Sequence, residues 1–371
     1  MRVAFYAPMK PPQHPVPSGD RRIARLLVAA LRLGGHEAVL ASIFRSRDPT
    51  GDVMRQARLA ELGQKLALRL VRHWRGPTPD VWLTYHLYYK APDWIGPLAA
   101  EAWGIPYVVA EASYAPKRAG GPWDISHRAI EAAVRRAAAV ICLNPNDKAC
   151  LEPLAGGRLR DLPPFLDIAT FDAAAPVRQA LAAAHHIDPQ EPWLLAVGML
   201  RQGNKLESYK VLADALPHLA DLPWRLLIAG DGPAAGTIKS LFGRQSERVT
   251  WLGQQDEAGL SGFYRSCDVM VWPAVREAFG MALLEAQASG LPVVAGNTDG
   301  VPAIVGDGTT GLLPPPGDAA GFAAAVRALL TDPARREAMG QAAKARAIRH
   351  HSIRSAADTL DRILREVTCR S

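Results

Sequence analysis

The chain has 371 residues, with 43 Lys and Arg against 36 Asp and Glu for a formal net charge of +7, and is 49% hydrophobic. That length suits two domains of ordinary size, the composition excludes a disordered chain, and no apolar run approaches the ~20 residues needed to cross a bilayer. The basic excess suits phosphorylated ligands or an anionic membrane surface.

The N-terminus from Met1 to Pro8 has too short an apolar run for a signal peptide and reads as a first strand, which points to the cytoplasm. Further strands are expected at Glu37–Ala41, Val81–His86, Tyr107–Glu111, Val140–Asn144 and Leu159–Pro163, with helices between them such as Asp20–Leu33 and Ser126–Ala138. A second series starts at Pro192–Gly198 and runs through Trp224–Gly230, Val249–Gly253, Val269–Pro273 and Pro292–Asn297. Such alternation predicts parallel sheets of βαβ units, an α/β fold of two Rossmann-like doubly wound domains. The Ala- and Pro-rich segment Ala173–Pro192 is the expected linker, which places an N-terminal domain over 1–180 and a C-terminal one over 190–350. Cys142, Cys150, Cys267 and Cys369 have neither metal-site spacing nor a disulfide-rich pattern and read as free thiols.

The most informative stretch runs from Arg276 to Ala286. It sets Glu277 and Glu285 eight residues apart, just after the apolar run Val269–Pro273, with a helix expected to begin near Gly280. Free N–H groups at a helix start and the helix dipole make an anion site, and Gly280 lets a ligand approach the backbone. Two carboxylates flanking that site can accept from hydroxyls on either side of a bound anion. Hydroxyls on both sides of a diphosphate describe a nucleotide sugar.

This stretch resembles the E-x7-E motif of the retaining family 4 glycosyltransferases, which have the GT-B fold. Gly230-Asp231-Gly232-Pro233, Trp251-Leu252-Gly253, Gly300-Val301-Pro302, Asp307-Gly308, Gly311-Leu312-Leu313 and Pro316-Gly317-Asp318 follow in that family's order, so the resemblance covers about residues 190–345. It implies two domains facing across a cleft, the donor on the second and the acceptor mainly on the first. It also implies that the last helix, within 351–371, crosses back to the first domain. The same resemblance implies front-face transfer with retention, in which the leaving phosphate oxygen helps to deprotonate the acceptor and the protein contributes positioning and electrostatics.

On the donor side the resemblance assigns Glu285 to the ribose hydroxyls, Glu277 to the transferred sugar, and the backbone of Phe279, Gly280, Met281 and Ala282 to phosphate oxygens. Gly230 and Gly253 belong to the same donor set, as does Gly19 in the first βα turn, Pro8–Arg21, where Ser18 and Gly19 precede a helix. No two Asp lie two apart, so no Asp-x-Asp metal site is expected and no cofactor beyond the donor substrate. The diphosphate charge then falls to Lys205, which aligns with the family's Lys, and to Arg201, two residues beyond Met199, which stands where the family has Arg. Ala303 likewise replaces a common Glu. Gly230–Gly236 also has a rival reading as a dinucleotide fingerprint, but it has one residue too many before the last Gly and lies mid-domain.

On the acceptor side, His86 and Ser113 end polar strand termini, and Glu111 stands where many family members carry His. A carboxylate there can bind hydroxyls or act as a base. From Arg45 to Arg75 eight Arg and Lys stand against three acidic residues, and Leu59, Leu62, Leu66 and Leu70 recur at helical spacing. A basic amphipathic helix over 52–75 can lie on anionic lipid, on the inner face of a membrane, or simply turn its Leu stripe to the core. The leading function is a metal-independent glycosyltransferase moving a sugar from a nucleotide-diphosphate sugar to a glycan or glycolipid hydroxyl. The alternatives are a non-catalytic nucleotide-sugar-binding subunit, suggested by Met199, Ala303 and Glu111, and another GT-B enzyme such as an epimerase or phosphorylase. Nucleic-acid binding has no module signature.

Overall fold

The computed structural model describes residues 1–16, 18–173 and 175–369. Contacts divide the chain into two units, Met1–Pro163 joined by the C-terminal stretch from Ile353, and Pro164–Ser352. The first unit holds β1 (Arg2–Tyr6), β2 (Glu37–Ser42), β3 (Val81–Tyr88), β4 (Tyr107–Ser113), β5 (Ala139–Cys142) and β6 (Leu159–Asp161). They pair in parallel in the order β2-β1-β3-β4-β5-β6. Val3–Tyr6, Val81–Leu83 and Val108–Ala110 are buried throughout, the near-continuous apolar pattern of strands covered on both faces.

The helix Ile353–Thr368 closes this unit. Its buried residues Ala356, Ala357, Leu360, Ile363, Leu364 and Val367 recur at helical spacing and pack on the helix Gly19–Leu33. A bidentate pair fastens it to β6: Arg160 donates to both Glu366 oxygens, at 3.1 and 2.6 Å. The helix Val53–His73 sits differently from the expected Leu stripe. Its buried positions are Gln56, Gly63 and Ala67, whereas Leu62 is exposed and Leu59, Leu66 and Leu70 are half-buried. Gly63 sets the contact, because a Cβ there would meet the Trp94 side chain at 2.3 Å.

The second unit holds β7 (Trp193–Val197), β8 (Arg225–Ala229), β9 (Val249–Gly253), β10 (Val269–Trp272), β11 (Val293–Ala295) and β12 (Gly311–Leu312). Their order is β12-β11-β10-β7-β8-β9, again parallel. Each sheet therefore reverses its strand order once, between β1 and β3 in the first unit and between β7 and β10 in the second. Ligands of doubly wound sheets bind beyond the carboxyl ends of the strands at such reversals.

The segment Ala173–Pro192 is not a free linker. Outside Ala174, it carries the helix Arg178–His185, whose Leu181 and Ala182 join Ile187 in the core of the second unit. Arg178 ties it down by donating to Asp268 at 3.0 Å and to the carbonyls of Pro189, Glu191 and Ser266. The division between the units lies earlier, at Pro163–Pro164. The sequence signal failed because alanines that suit a connection also suit a short helix laid on a core.

Leu360→Ala should lower the unfolding free energy by about 2–5 kcal/mol, since a fully buried side chain leaves a cavity. Exposed Arg354→Ala should stay within about 0.5 kcal/mol. Denaturant unfolding of both variants checks the pair.

Candidate functional site

Beyond β7 and β8 the backbone packs closely enough to require glycine. Gly230, which follows β8 at φ 152°, would put a Cβ 1.9 Å from the Gly198 carbonyl oxygen. The loop after β7 is pinned to it: Leu200 N donates to Asp231 O at 3.0 Å, and Ala234 N to Leu200 O at 2.9 Å. Gly230 N donates to Gly253 O at 2.8 Å, which brings the end of β9 into the same floor. Gly230 thus serves backbone approach within the protein.

On this floor, at the β7/β10 reversal, stands an ion pair. Lys205 enters the helix Asn204–Ala215, where the dipole disfavours a cation. Glu277 compensates: Lys205 Nζ lies 2.6 Å from Glu277 Oε2. Trp272 Nε1 donates to the same oxygen at 3.2 Å, and the ammonium sits 4.8 Å from the Trp272 ring centre. Tyr209 holds that ring edge-on at 5.1 Å and donates to the Gly198 carbonyl at 3.0 Å. Both partners of the pair keep about a fifth of their side chain exposed. Among the described residues, Glu277 Oε1 has no hydrogen-bond partner, so the carboxylate retains an acceptor for a ligand hydroxyl.

Gly280, at φ 71°, starts the helix Met281–Ala288. The N–H groups of Met281 and Ala282 have no intrahelical acceptor by their position, and Phe279 is half-buried just before them. Glu285 differs from Glu277. It is 3% exposed and accepts from Tyr264 Oη at 2.8 Å, so this carboxylate is a buried, partnered group. Arg201 and Met199 are exposed on the loop after β7, and the Arg201 side chain makes no hydrogen bond or ion pair among the described residues.

The first unit gathers a second cluster at the ends of β3, β4 and β5. His86 and Glu111 both adopt φ 60° inside their strands, and the register Tyr85↔Ala110 and Leu87↔Ala112 sets them opposite each other. Two non-glycine residues in this region cost about 1–3 kcal/mol each, and such strain gathers at functional sites. His86 Nδ1 lies 2.9 Å from Asp20 Oδ1, off the direction of an ideal hydrogen bond. Tyr85 lies against Glu111, yet neither its hydroxyl nor Glu111 Oε2 has a well-formed partner. Asp147, beyond β5, takes a hydrogen bond from Ser113.

The electrostatics follow from this crowding. Burial pushes the Glu111 carboxyl up against the pull of His86, and burial likewise raises Asp147. Burial opposes a charge on His86, but Glu111, Asp20 and Asp147 outweigh it, so the imidazole holds its proton above its usual range. The close contact with the His86 imidazole keeps Asp20 low despite burial. Among the described residues no three His, Cys, Asp or Glu side chains form a group that could hold a metal ion.

The structure thus brings His86, Glu111 and Ser113 together in one unit, and Lys205, Glu277, Gly230 and Gly253 in the other. Gly19 is the first residue of its helix and is exposed, and nothing lies within 4 Å of where its Cβ would be. Ser18 caps that helix, accepting from Arg21 N at 3.2 Å. The Pro-rich loop before it, whose Pro17 lies outside the described residues, is clamped by Arg21, Arg25 and Arg45 on the carbonyls of His14, Pro12 and Met9. Sequence reasoning missed Asp20, Asp147, Trp272 and Tyr264. Trp272 ends β10, Asp147 follows β5, and Asp20 lies at the first helix after β1, a positional signal at strand ends that could have found them.

The family of group 1 glycosyl transferases matches residues 191–332. The chain is 32% identical over 302 residues to a D-inositol 3-phosphate glycosyltransferase of Pseudarthrobacter chlorophenolicus, covering 74% of this chain and 69% of that relative. Its fold is similar to that of a sucrose-phosphate synthase from Thermosynechococcus elongatus, with a TM-score of 0.73 at 21% identity and 100% of each chain covered. It is also similar to that of an Anabaena protein solved in complex with UDP and glucose, with a TM-score of 0.70 at 16% identity, covering 98% of this chain and 99% of that one. With two doubly wound parallel sheets and a relative of this identity over most of its length, the chain belongs to the group 1 glycosyl transferases and is a glycosyltransferase of the GT-B fold.

Proposed function

We propose that this enzyme moves a sugar from a nucleotide-diphosphate sugar to a hydroxyl acceptor, with retention and without a metal ion, in the synthesis of a polysaccharide, a lipid-linked glycan or an envelope glycan. The observation that carries the donor assignment is the Lys205–Glu277 pair at the β7/β10 reversal. A leaving diphosphate needs its charge neutralised as the glycosidic bond breaks. Lys205 supplies a cation there, the unpartnered Arg201 a second, and the first N–H groups of the helix Met281–Ala288 add donors. Glu277 receives a hydroxyl of the transferred sugar. Glu285 acts on the ribose, with Tyr264 holding its carboxylate. A similar fold in complex with UDP and glucose supports a nucleotide-sugar donor.

The acceptor is assigned to the first unit, with Glu111 and His86 meeting its hydroxyl and Ser113 beside them. A peripheral membrane contact on the cytoplasmic side is assigned to the helix Val53–His73. That helix exposes Val53, Met54, Leu62 and Leu68 beside Arg55, Arg58, Arg69 and Arg72. No helix of the described residues is long and apolar enough to cross a membrane.

A nucleoside diphosphate or nucleotide sugar at about 100 times its Kd should stabilise the purified chain by about 2.7 kcal/mol in metal-free buffer. Lys205→Met should remove about 1.5–3 kcal/mol of that binding, the worth of a hydrogen bond to a charged group. Thermal shift across UDP, GDP, ADP and their sugar conjugates measures both, and undiminished stabilisation of the variant would overturn the assignment. Glu285→Gln should also unfold at a lower temperature without ligand, because it disturbs a buried partner.

NMR titration should find His86 losing its proton above the ordinary imidazole value of about 6.5. A raised folded pKa stabilises the fold fully below the unfolded value, and that contribution is lost as pH rises through the folded one. In Glu111→Gln and in Asp20→Asn the titration should move down, since both carboxylates favour the proton on the imidazole. An unchanged titration in both would refute the shared charge. For the membrane, the chain should sediment with vesicles rich in anionic lipid and not with neutral ones, and Arg58→Glu with Arg69→Glu should release it. Equal sedimentation of that double variant would exclude the helix as the contact.

A further inference from the structure

A row of rings leads away from His86 in the first unit. His86 and Tyr88 lie 5.0 Å apart between ring centres, Tyr88 and Tyr89 5.5 Å, and Tyr89 and Trp123 5.3 Å. At its far end two cations share the same rings. Arg118 is 4.5 Å from the Tyr89 centre and 5.7 Å from that of Trp123, and Lys90 Nζ is 5.1 Å from Trp123 and 5.8 Å from Tyr89. Arg47 is the third cation and lies beside the Tyr88 hydroxyl. The backbone fixes this arrangement: Trp123 Nε1 donates to Asp48 O at 3.1 Å, and Asp48 N to Lys90 O at 2.8 Å.

None of the three cations forms an ion pair with a carboxylate among the described residues. Asp48, the acidic residue next to Arg47, is already occupied. It accepts from the Thr50 and Gly51 backbone and from the Thr50 hydroxyl, with Arg55 at 3.9 Å. Nε of Arg47 and Nε of Arg118 are buried with no hydrogen-bond partner. A buried donor left unsatisfied costs about 1–3 kcal/mol, more on a charged group. Two guanidinium groups in that condition beside an ammonium make a place for an oxyanion. Guanidinium stacked on an aromatic face keeps its edge free for a planar or tetrahedral anion.

We propose that Arg47, Lys90 and Arg118, held by Tyr88, Tyr89 and Trp123, bind the negatively charged group of the acceptor, so that the enzyme glycosylates a saccharide or polyol bearing a phosphate or carboxylate. This rests on the reading of the first unit as the acceptor side. The charge order agrees with it. The His86 end presents carboxylates that accept from hydroxyls, and the far end presents donors without acceptors. An acceptor with a hydroxyl at one end and an anion at the other matches both, whereas a neutral sugar leaves the three cations unsatisfied.

The test is binding of glucose 6-phosphate, glucuronate and glucose to the full chain without donor, by calorimetry, in wild type, Lys90→Ala with Arg118→Ala, and Lys205→Ala. The anionic probes should bind at least about tenfold more tightly than glucose, a difference of 1.4 kcal/mol. The double variant should lose that preference and Lys205→Ala should keep it. About 0.5 M salt should weaken binding of the anionic probes alone. Stronger binding of one anionic probe separates phosphate from carboxylate. Glucose binding as tightly as the charged probes, or a preference that survives in the double variant, would overturn the proposal. So would the absence of any binding from a chain that nucleotides still stabilise, which would leave the donor reading standing. The converse result, an intact preference with no nucleotide stabilisation, would sink the donor reading alone. Arg118→Lys, which keeps the charge but not the fork, serves if the double variant does not fold, and it should weaken the anionic probes and leave glucose unchanged.

Discussion

The second unit depends on keeping a cation where a helix would rather not have one. Lys205 sits at the start of the helix Asn204–Ala215, near the positive end of its dipole, at a cost of about 0.3–1 kcal/mol. Glu277 and the face of Trp272 offset that cost. The arrangement works only if the end of β7 and the loop after β10 stay in register, and the glycine floor sees to that. Gly230 lets β8 press on the loop after β7, and Gly300, whose Cβ would fall 1.9 Å from Ala278 O, lets the following loop press on the Glu277 segment. Ser208 adds a tie by accepting from Val275 N at 3.0 Å. The charge is thus set in place by the fold itself.

The first unit solves a different problem. Three carboxylates crowd one imidazole, and burial makes each extra charge expensive. The arrangement that relieves this places a proton on His86, keeps Asp20 ionised beside it, and leaves Glu111 and Asp147 easier to protonate than usual. Such crowding shifts the protonation of His86, Glu111 and Asp147 together. The two strained residues, His86 and Glu111, aim these groups. Regular strand geometry would alternate their side chains to opposite faces from their neighbours, and φ near +60° breaks that alternation at both positions at once.

The fold was legible in the sequence because buried parallel strands are apolar runs ended by polar residues. Trp193–Val197, Val269–Trp272 and Tyr107–Ser113 all fall where such runs are expected. Glu277 and Lys205 were legible through motif order, and the structure unites them although 72 residues separate them. What stayed hidden depends on direction in space. The Leu spacing of Val53–His73 could not show that Gly63 would set the contact and turn Leu62 outward. Ala173–Pro192 could not be told from a linker, because its fixing partner Asp268 lies far along the chain. The pairing of His86 with Glu111 needed the β3–β4 register, and the positive φ at Glu111 has no local signal, since Glu, unlike His, is not among the residues enriched there.

The two glutamates of the E-x7-E motif show why a motif does not assign equal roles to its letters. Glu277 is partly exposed, shares one oxygen between Lys205 and Trp272, and has the other open. Its energy is tuned by whatever ligand arrives. Glu285 is enclosed, and its partner Tyr264 belongs to the same fold core as Phe171, 6.3 Å from it. A buried carboxylate must be partnered whether or not a nucleotide is bound, so Glu285 answers to stability before it answers to binding. Substitutions at the two sites therefore act differently on the fold: at Glu277 a partly exposed ion pair is lost, and at Glu285 a buried hydrogen-bonded carboxylate is disturbed.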